Sequence, residues 1–195
     1  MSEYSTVNIL DMINAIGEDA LTDILSDFLC PKNQEIESFV RNKAIDFAKR
    51  KISITYFVIN NSNGEIISIF ALTHKAVDID KNILSKTAKK KLSRFAQLDE
   101  NSDSYTVSAF LIAQFGKNYA IECPNGWNGI RLMEKTFETL EKVQKQIGGG
   151  VVYLECEDNK HLLKFYQNEH NRFHPFNERF SNADNTKYIQ LLRFF

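Results

Sequence analysis

Proline is nearly absent, at three residues in a chain of 195, and glycine contributes only eight. That leaves no composition for a flexible linker, and no internal repeat or low-complexity segment interrupts the chain. The three cysteines, Cys30, Cys123 and Cys156, are odd in number and far apart. They suit reduced thiols better than a disulfide framework. No Cys-x-x-Cys spacing occurs, so no zinc site is expected. No apolar run approaches the length that spans a bilayer, and no membrane association is expected. The first residues, MSEYSTVNIL, lack a basic segment followed by an apolar one, so a secretory leader is not expected and the cytoplasm is the expected location. Neither charge sign dominates: 24 Lys and Arg stand against 25 Asp and Glu, a net charge of −1. The chain as a whole therefore has no pull toward nucleic acid or an anionic membrane. What remains is 43% hydrophobic and 25% charged. This is ordinary globular composition, long enough for one sizeable core, and a single domain over 1–195 is expected.

The chain is organised around Thr106 to Phe137. Val107 to Phe115 is an apolar run rich in aromatic and branched residues, the composition of a buried strand. A polar loop follows, with Pro124, Asn125, Gly126 and Gly129. Then Ile130, Met133, Phe137, Leu140 and Val143 recur at spacings of three and four, which predicts a helix with one apolar face. A strand, a glycine-bearing turn and a helix N-terminus together make a candidate anion site, because the first-turn N–H groups lack intrahelical partners and the dipole favours negative charge there.

The flanking elements follow the same logic. Leu21, Ile24, Leu25 and Phe28 predict a short helix behind Gly17, ended by Cys30-Pro31. Asn33 is a candidate cap for a helix carrying Ile36, Phe39, Val40, Ala44 and Phe47. Ser53–Asn60 and Glu65–Leu72 read as strands, and Asn63-Gly64 between them marks a hairpin. Lys86, Lys89, Lys90, Lys91 and Arg94 crowd a stretch without an acid, read as the solvated face of a short helix, with phosphate contact as the alternative. Gly148-Gly149-Gly150 stops the long helix, and Val151–Cys156 is a second buried strand, so 107–156 reads as strand, helix and parallel strand. Asp158 or Asn159 caps a helix with Leu162, Leu163, Phe165 and Tyr166. Lys187–Phe195 reads as a final strand.

The order helix, helix, hairpin, long strand, glycine turn, helix, strand, helix, strand resembles the GNAT (Gcn5-related N-acetyltransferase) superfamily. Asn159-Lys160-His161-Leu162-Leu163-Lys164-Phe165-Tyr166 is similar to that family's late motif, and VVYLECED to the strand before it. The front half, from about Phe28 to Val77, is similar to a bacterial branch that includes acetylating toxins. Where the family has Gln/Arg-x-x-Gly-x-Gly/Ala, this chain has Cys123-Pro124-Asn125-Gly126-Trp127-Asn128-Gly129.

The resemblance implies an α/β fold, a central mixed sheet with a splayed parallel strand pair and helices on both faces. It implies acetyl-CoA as cosubstrate without a metal, and direct transfer to a primary amine of a small molecule, a peptide or an aminoacyl-tRNA. A weakly catalytic acyl-CoA-binding module and a tRNA-directed toxin are the alternatives. Backbone around Phe115, Gly116 and Lys117 would hold the acetyl end, and N–H groups from Gly126 through Trp127, Asn128 and Gly129 to Ile130 the diphosphate. Asn159 and Phe165 would also contact the cofactor. Tyr166 matches the position that serves the leaving thiolate, and Glu155 and His74 are candidate bases. Phe173, Phe176, Phe180, Phe194 and Phe195 make the C-terminal region aromatic enough to suggest a homodimer surface.

Overall fold

The structure, a computed structural model, describes residues 3–195. The chain divides into two compact units, one running to Thr73 and resuming over Ile112–Thr139, the other formed by His74–Leu111 and Leu140–Phe195.

The first unit opens with strand β1 (Tyr4–Asn8) and helix α1 (Ile9–Ile16), two elements outside those expected from the sequence. The Asn8 side chain accepts from the Leu10 N–H at 2.8 Å and starts α1. Gly17, at φ 86°, separates it from α2 (Glu18–Ser26), a backbone angle that glycine adopts without a Cβ penalty. Asn33 caps α3 (Gln34–Asn42), accepting from Ile36 N–H at 3.1 Å. The single helix expected from Ile36 to Phe47 is two, because Lys43 leaves the helical region (φ −127°) before α4 (Ala44–Lys49). Strands β2 (Ile54–Asn60) and β3 (Ile66–Asp80) form the antiparallel hairpin, with Phe57 opposite Ile69 and Thr55 opposite Ala71. Leu21, Leu25, Phe28, Phe39, Val40 and Phe57 fill this unit's core against Ile69 and Ala71.

The second unit carries α5 (Lys86–Leu92), β4 (Leu98–Asp99), most of β5 (Ser104–Lys117), the end of α6 (Gly129–Ile147), β6 (Val151–Glu157), α7 (Lys160–Tyr166), β7 (His174–Ser181) and β8 (Thr186–Phe194). Alternation along β5 puts Tyr105, Val107 and Ala109 on one face. There they meet Leu92 of α5 together with Val151, Tyr153, Phe176 and Leu192.

The strands run in the order β1-β2-β3-β5-β6-β8-β7 with β4 against β5, a mixed eight-stranded sheet. β5 and β6 are parallel, with Phe110 opposite Val152 and Leu111 opposite Tyr153. β6 pairs with β8 along its whole length, from Val151↔Phe194 to Glu157↔Tyr188.

Two aromatic residues expected at a dimer surface belong to the core: Phe173 is 0% and Phe176 6% exposed. Phe176 packs edge-on to Tyr153 at 6.4 Å. Phe180 and Phe195 are exposed. No helix among the described residues is long and apolar enough to cross a membrane.

Candidate functional site

In the second unit the late motif folds as a short helix. Asn159 accepts from the His161 N–H at 2.8 Å and so caps α7. Its side-chain oxygen is engaged in starting the helix. At the other end Tyr166 is buried, with its ring edge-on to Phe165 (5.0 Å) and Phe173 (6.0 Å). The residues after it form a tight turn. Asn168 accepts from the N–H groups of His170 and Asn171 at 2.9 and 2.8 Å. The Asn171 amide donates to Phe165 O at 2.8 Å, and Phe173 N–H donates to Tyr166 O at 3.0 Å. Burial, then the nearby Cys156 sulfur, pushes the Tyr166 phenol well above its usual range. It holds its proton at neutral pH and is a donor.

Cys156 shares that side of β6. Burial first, then the charges of Asp158 and Glu157, raise its thiol to about 11, so it stays protonated and is a poor nucleophile. Glu155 points the other way, to the face of Tyr153. Its carboxylate accepts from Arg179 Nε and Nη2 (3.1 and 2.7 Å) and from Gln190 Nε2 (2.6 Å). Burial opposes its charge, but these hydrogen bonds and the guanidinium outweigh it and hold the carboxyl below the usual carboxylate range. The base expected at Glu155 is thus a carboxylate already committed to an ion pair, on the face away from Tyr166. His74 is exposed on β3.

The first unit carries the glycine loop. The Asn128 side chain accepts from the N–H groups of Ile130 and Arg131 (3.0 and 3.1 Å) and caps α6. The Ile130 N–H, one of the donors expected to face a diphosphate, is therefore taken up internally, together with that of Arg131. Gly126 has φ 77°, and a Cβ there would lie 3.7 Å from the Arg131 guanidinium. Arg131 was not singled out from the sequence because it stands after the loop, where the family pattern places no cation. Trp127 is buried, and its indole N–H donates to Ser68 Oγ at 2.8 Å.

Phe115 is half-buried, and Gly116 is buried under α3, where a Cβ would meet Ile36 at 3.0 Å. Lys117 places its ammonium 5.2 Å from the Tyr119 ring centroid. Beside the loop, a cavity of about 420 Å³ is lined by Asn60, Asn63, Glu65, Glu122, Cys123, Pro124 and Asn125. Its two carboxylates and lack of a cation make it unsuited to a phosphate. His170 and His174 are both exposed, and no group of three His, Cys, Asp or Glu among the described residues could hold a metal.

No family model matches the chain, and no curated protein matches it in sequence. Solved structures do. A structure described as a bacterial toxin aligns over 100% of this chain and 92% of its own, at TM-score 0.63 and 17% identity. AtaT complexed with acetyl-methionyl-tRNAfMet aligns over 98% and 94%, at 0.66 and 15%. AtaTR bound with AcCoA aligns over 100% and 94%, at 0.60 and 14%. The chain has the GNAT fold. Identity at this level speaks for the architecture, and the chemistry of a GNAT fold has to be argued from its side chains.

Proposed function

We propose that the chain is an acetyl-CoA-dependent N-acetyltransferase acting by direct transfer to a primary amine. The observation that carries this reading is Tyr166: a buried, protonated phenol at the end of the capped α7 helix. It belongs to the unit that also carries strand β6. Acetyl-CoA would supply an activated acyl group on sulfur. Its amide-bearing arm can satisfy open strand groups as an added strand would. The Tyr166 O–H would donate to the departing sulfur. Given to a departing thiolate the hydrogen bond would be charge-assisted, and with its pKa raised the phenol keeps its proton rather than ionising. Glu155 being paired with Arg179, the acceptor ammonium would lose its proton to water. Gly126, Gly129 and the Arg131 guanidinium would attend the diphosphate. The weakly catalytic binding module is not favoured.

The test is calorimetric titration with acetyl-CoA, dephospho-CoA and ATP, followed by free-thiol release with a panel of primary amines. Micromolar binding, about −8 kcal/mol, and amine-dependent thiol release are expected. No binding of any acyl-CoA overturns the proposal.

For the acceptor, one surface favours an RNA-borne amine; the AtaT structure is described as a complex with acetyl-methionyl-tRNAfMet. Helix α5 starts at a Ser85 cap (3.1 Å) and exposes Lys86, Lys90 and Lys91, with Arg94 just beyond. None of these makes an ion pair with a carboxylate among the described residues, and Phe95 stands beside them 48% exposed. The ring packs on Gly150 and leaves part of its surface to solvent; cations beside a part-exposed aromatic ring suit a phosphate backbone and an unstacked base. Changing Lys89, Lys90 and Lys91 to Glu is expected to weaken tRNA binding at least about tenfold and to flatten its salt dependence by roughly two units of slope. Unchanged binding would remove this face from the acceptor site.

A further inference from the structure

The chain holds one tryptophan, and it sits in the middle of the altered glycine loop. A loop that contacts a ligand from solvent has no need to bury an indole, yet Trp127 is 6% exposed. Its ring lies 4.7 Å from that of Tyr4 on β1, inclined at 53°. Its Nε1–H donates to the fully buried hydroxyl of Ser68 on β3 at 2.8 Å. Its backbone is equally engaged: the N–H donates to Pro124 O at 3.0 Å, and the carbonyl accepts from Cys123 Sγ at 3.5 Å. Every polar atom of the residue is therefore assigned within the first unit. Its immediate neighbours are Gly126, in a conformation that side chains rarely adopt, and Asn128, which caps α6.

We propose that Trp127 is a positioning residue: anchored to Ser68 and Tyr4, it fixes the backbone of residues 126–130 in the geometry that receives a diphosphate, without touching the ligand. This rests on the acetyl-CoA reading above. It also explains how a loop with altered glycine spacing keeps a defined shape. The indole does by anchoring what differently spaced glycines cannot do by tight turning. Preorganisation of this kind acts on affinity for the diphosphate and leaves the bond-making step alone.

The experiment uses the full chain with acetyl-CoA and, separately, ADP as a probe of the diphosphate alone. Ser68→Ala removes the acceptor, Trp127→Phe keeps a ring but loses the N–H, and Ser68→Thr restores the hydroxyl. In the first two variants the Kd for both ligands is expected to rise about tenfold, with kcat at saturating acetyl-CoA changed less than about twofold. Ser68→Thr should recover the wild-type Kd. Trp127 fluorescence reports whether the indole has left its site in Ser68→Ala. Wild-type affinity in a folded Ser68→Ala or Trp127→Phe protein overturns the positioning role while leaving the cofactor reading intact. A wild type that binds neither ligand overturns the cofactor reading, and the proposal with it.

Discussion

Tyr166→Phe is expected to lower turnover about a hundredfold or more while leaving the Kd for acetyl-CoA within about twofold of wild type. The substitution deletes one oxygen and its proton and keeps the ring that packs against Phe165 and Phe173. Fold and cofactor contacts should therefore survive. What goes is the donor for the departing sulfur. Burial raises the phenol's pKa, so the sign of its pH dependence is fixed: the group holds its proton throughout the neutral range and loses it only above the ordinary phenol value of about 10. No fall in kcat below that pH should trace to Tyr166. Single-turnover kinetics isolates the chemical step, and an unchanged rate there removes Tyr166 from the reaction.

The second large effect is on stability. Phe173→Ala should cost about 3–5 kcal/mol, out of a total of about 5–15 for a protein of ordinary stability. Phe173 is fully buried, its N–H closes the turn onto Tyr166 O, and its ring is an edge-on neighbour of the tyrosine. Truncation opens a cavity beneath the proposed donor, so turnover should fall with stability. Phe173→Leu preserves more volume and should lose far less of both. Urea unfolding reads the difference; an unchanged midpoint in the Ala variant would mean that the turn collapses without loss.

These residues show which parts of the molecule the sequence makes legible. The hairpin is legible because two apolar, strand-like runs meet at Asn63-Gly64, and α3 and α7 because Asn33 and Asn159 stand where caps belong. β7 is not: only Phe176 of its eight residues is buried, so it has no alternation to detect, and its membership in the sheet comes from pairing with β8. That same lack made Phe173 and Phe176 look like surface aromatics. The Lys43 break is equally silent, since lysine carries no helix-ending chemistry. At the site, Tyr166 and the loop are visible as residue types in order. Partnership is not visible. Arg179 lies 24 residues from Glu155 and Ser68 lies 59 from Trp127, and neither separation has a periodicity to betray it. Sequence therefore offers Glu155 as a candidate base and Trp127 as part of the loop, and leaves unseen the Arg179 guanidinium on one and the Ser68 hydroxyl on the other.

The place of β8 carries a consequence for how the chain comes to exist. β8 lies between β6 and β7, yet both are synthesised before it. Until β8 is made and clear of the ribosome, the apolar run Val151–Leu154 lacks the neighbour it will pair with along its whole length. β7 lacks over the same interval the strand against which its register is set. The slot between them must stay open until its occupant arrives. An emerging strand of this kind is the sort of edge that other nascent chains can join. The second unit should consequently be the late and chaperone-dependent half of biogenesis, and amino-acid starvation that stalls translation within Thr186–Phe194 should yield insoluble product rather than a shortened, folded one.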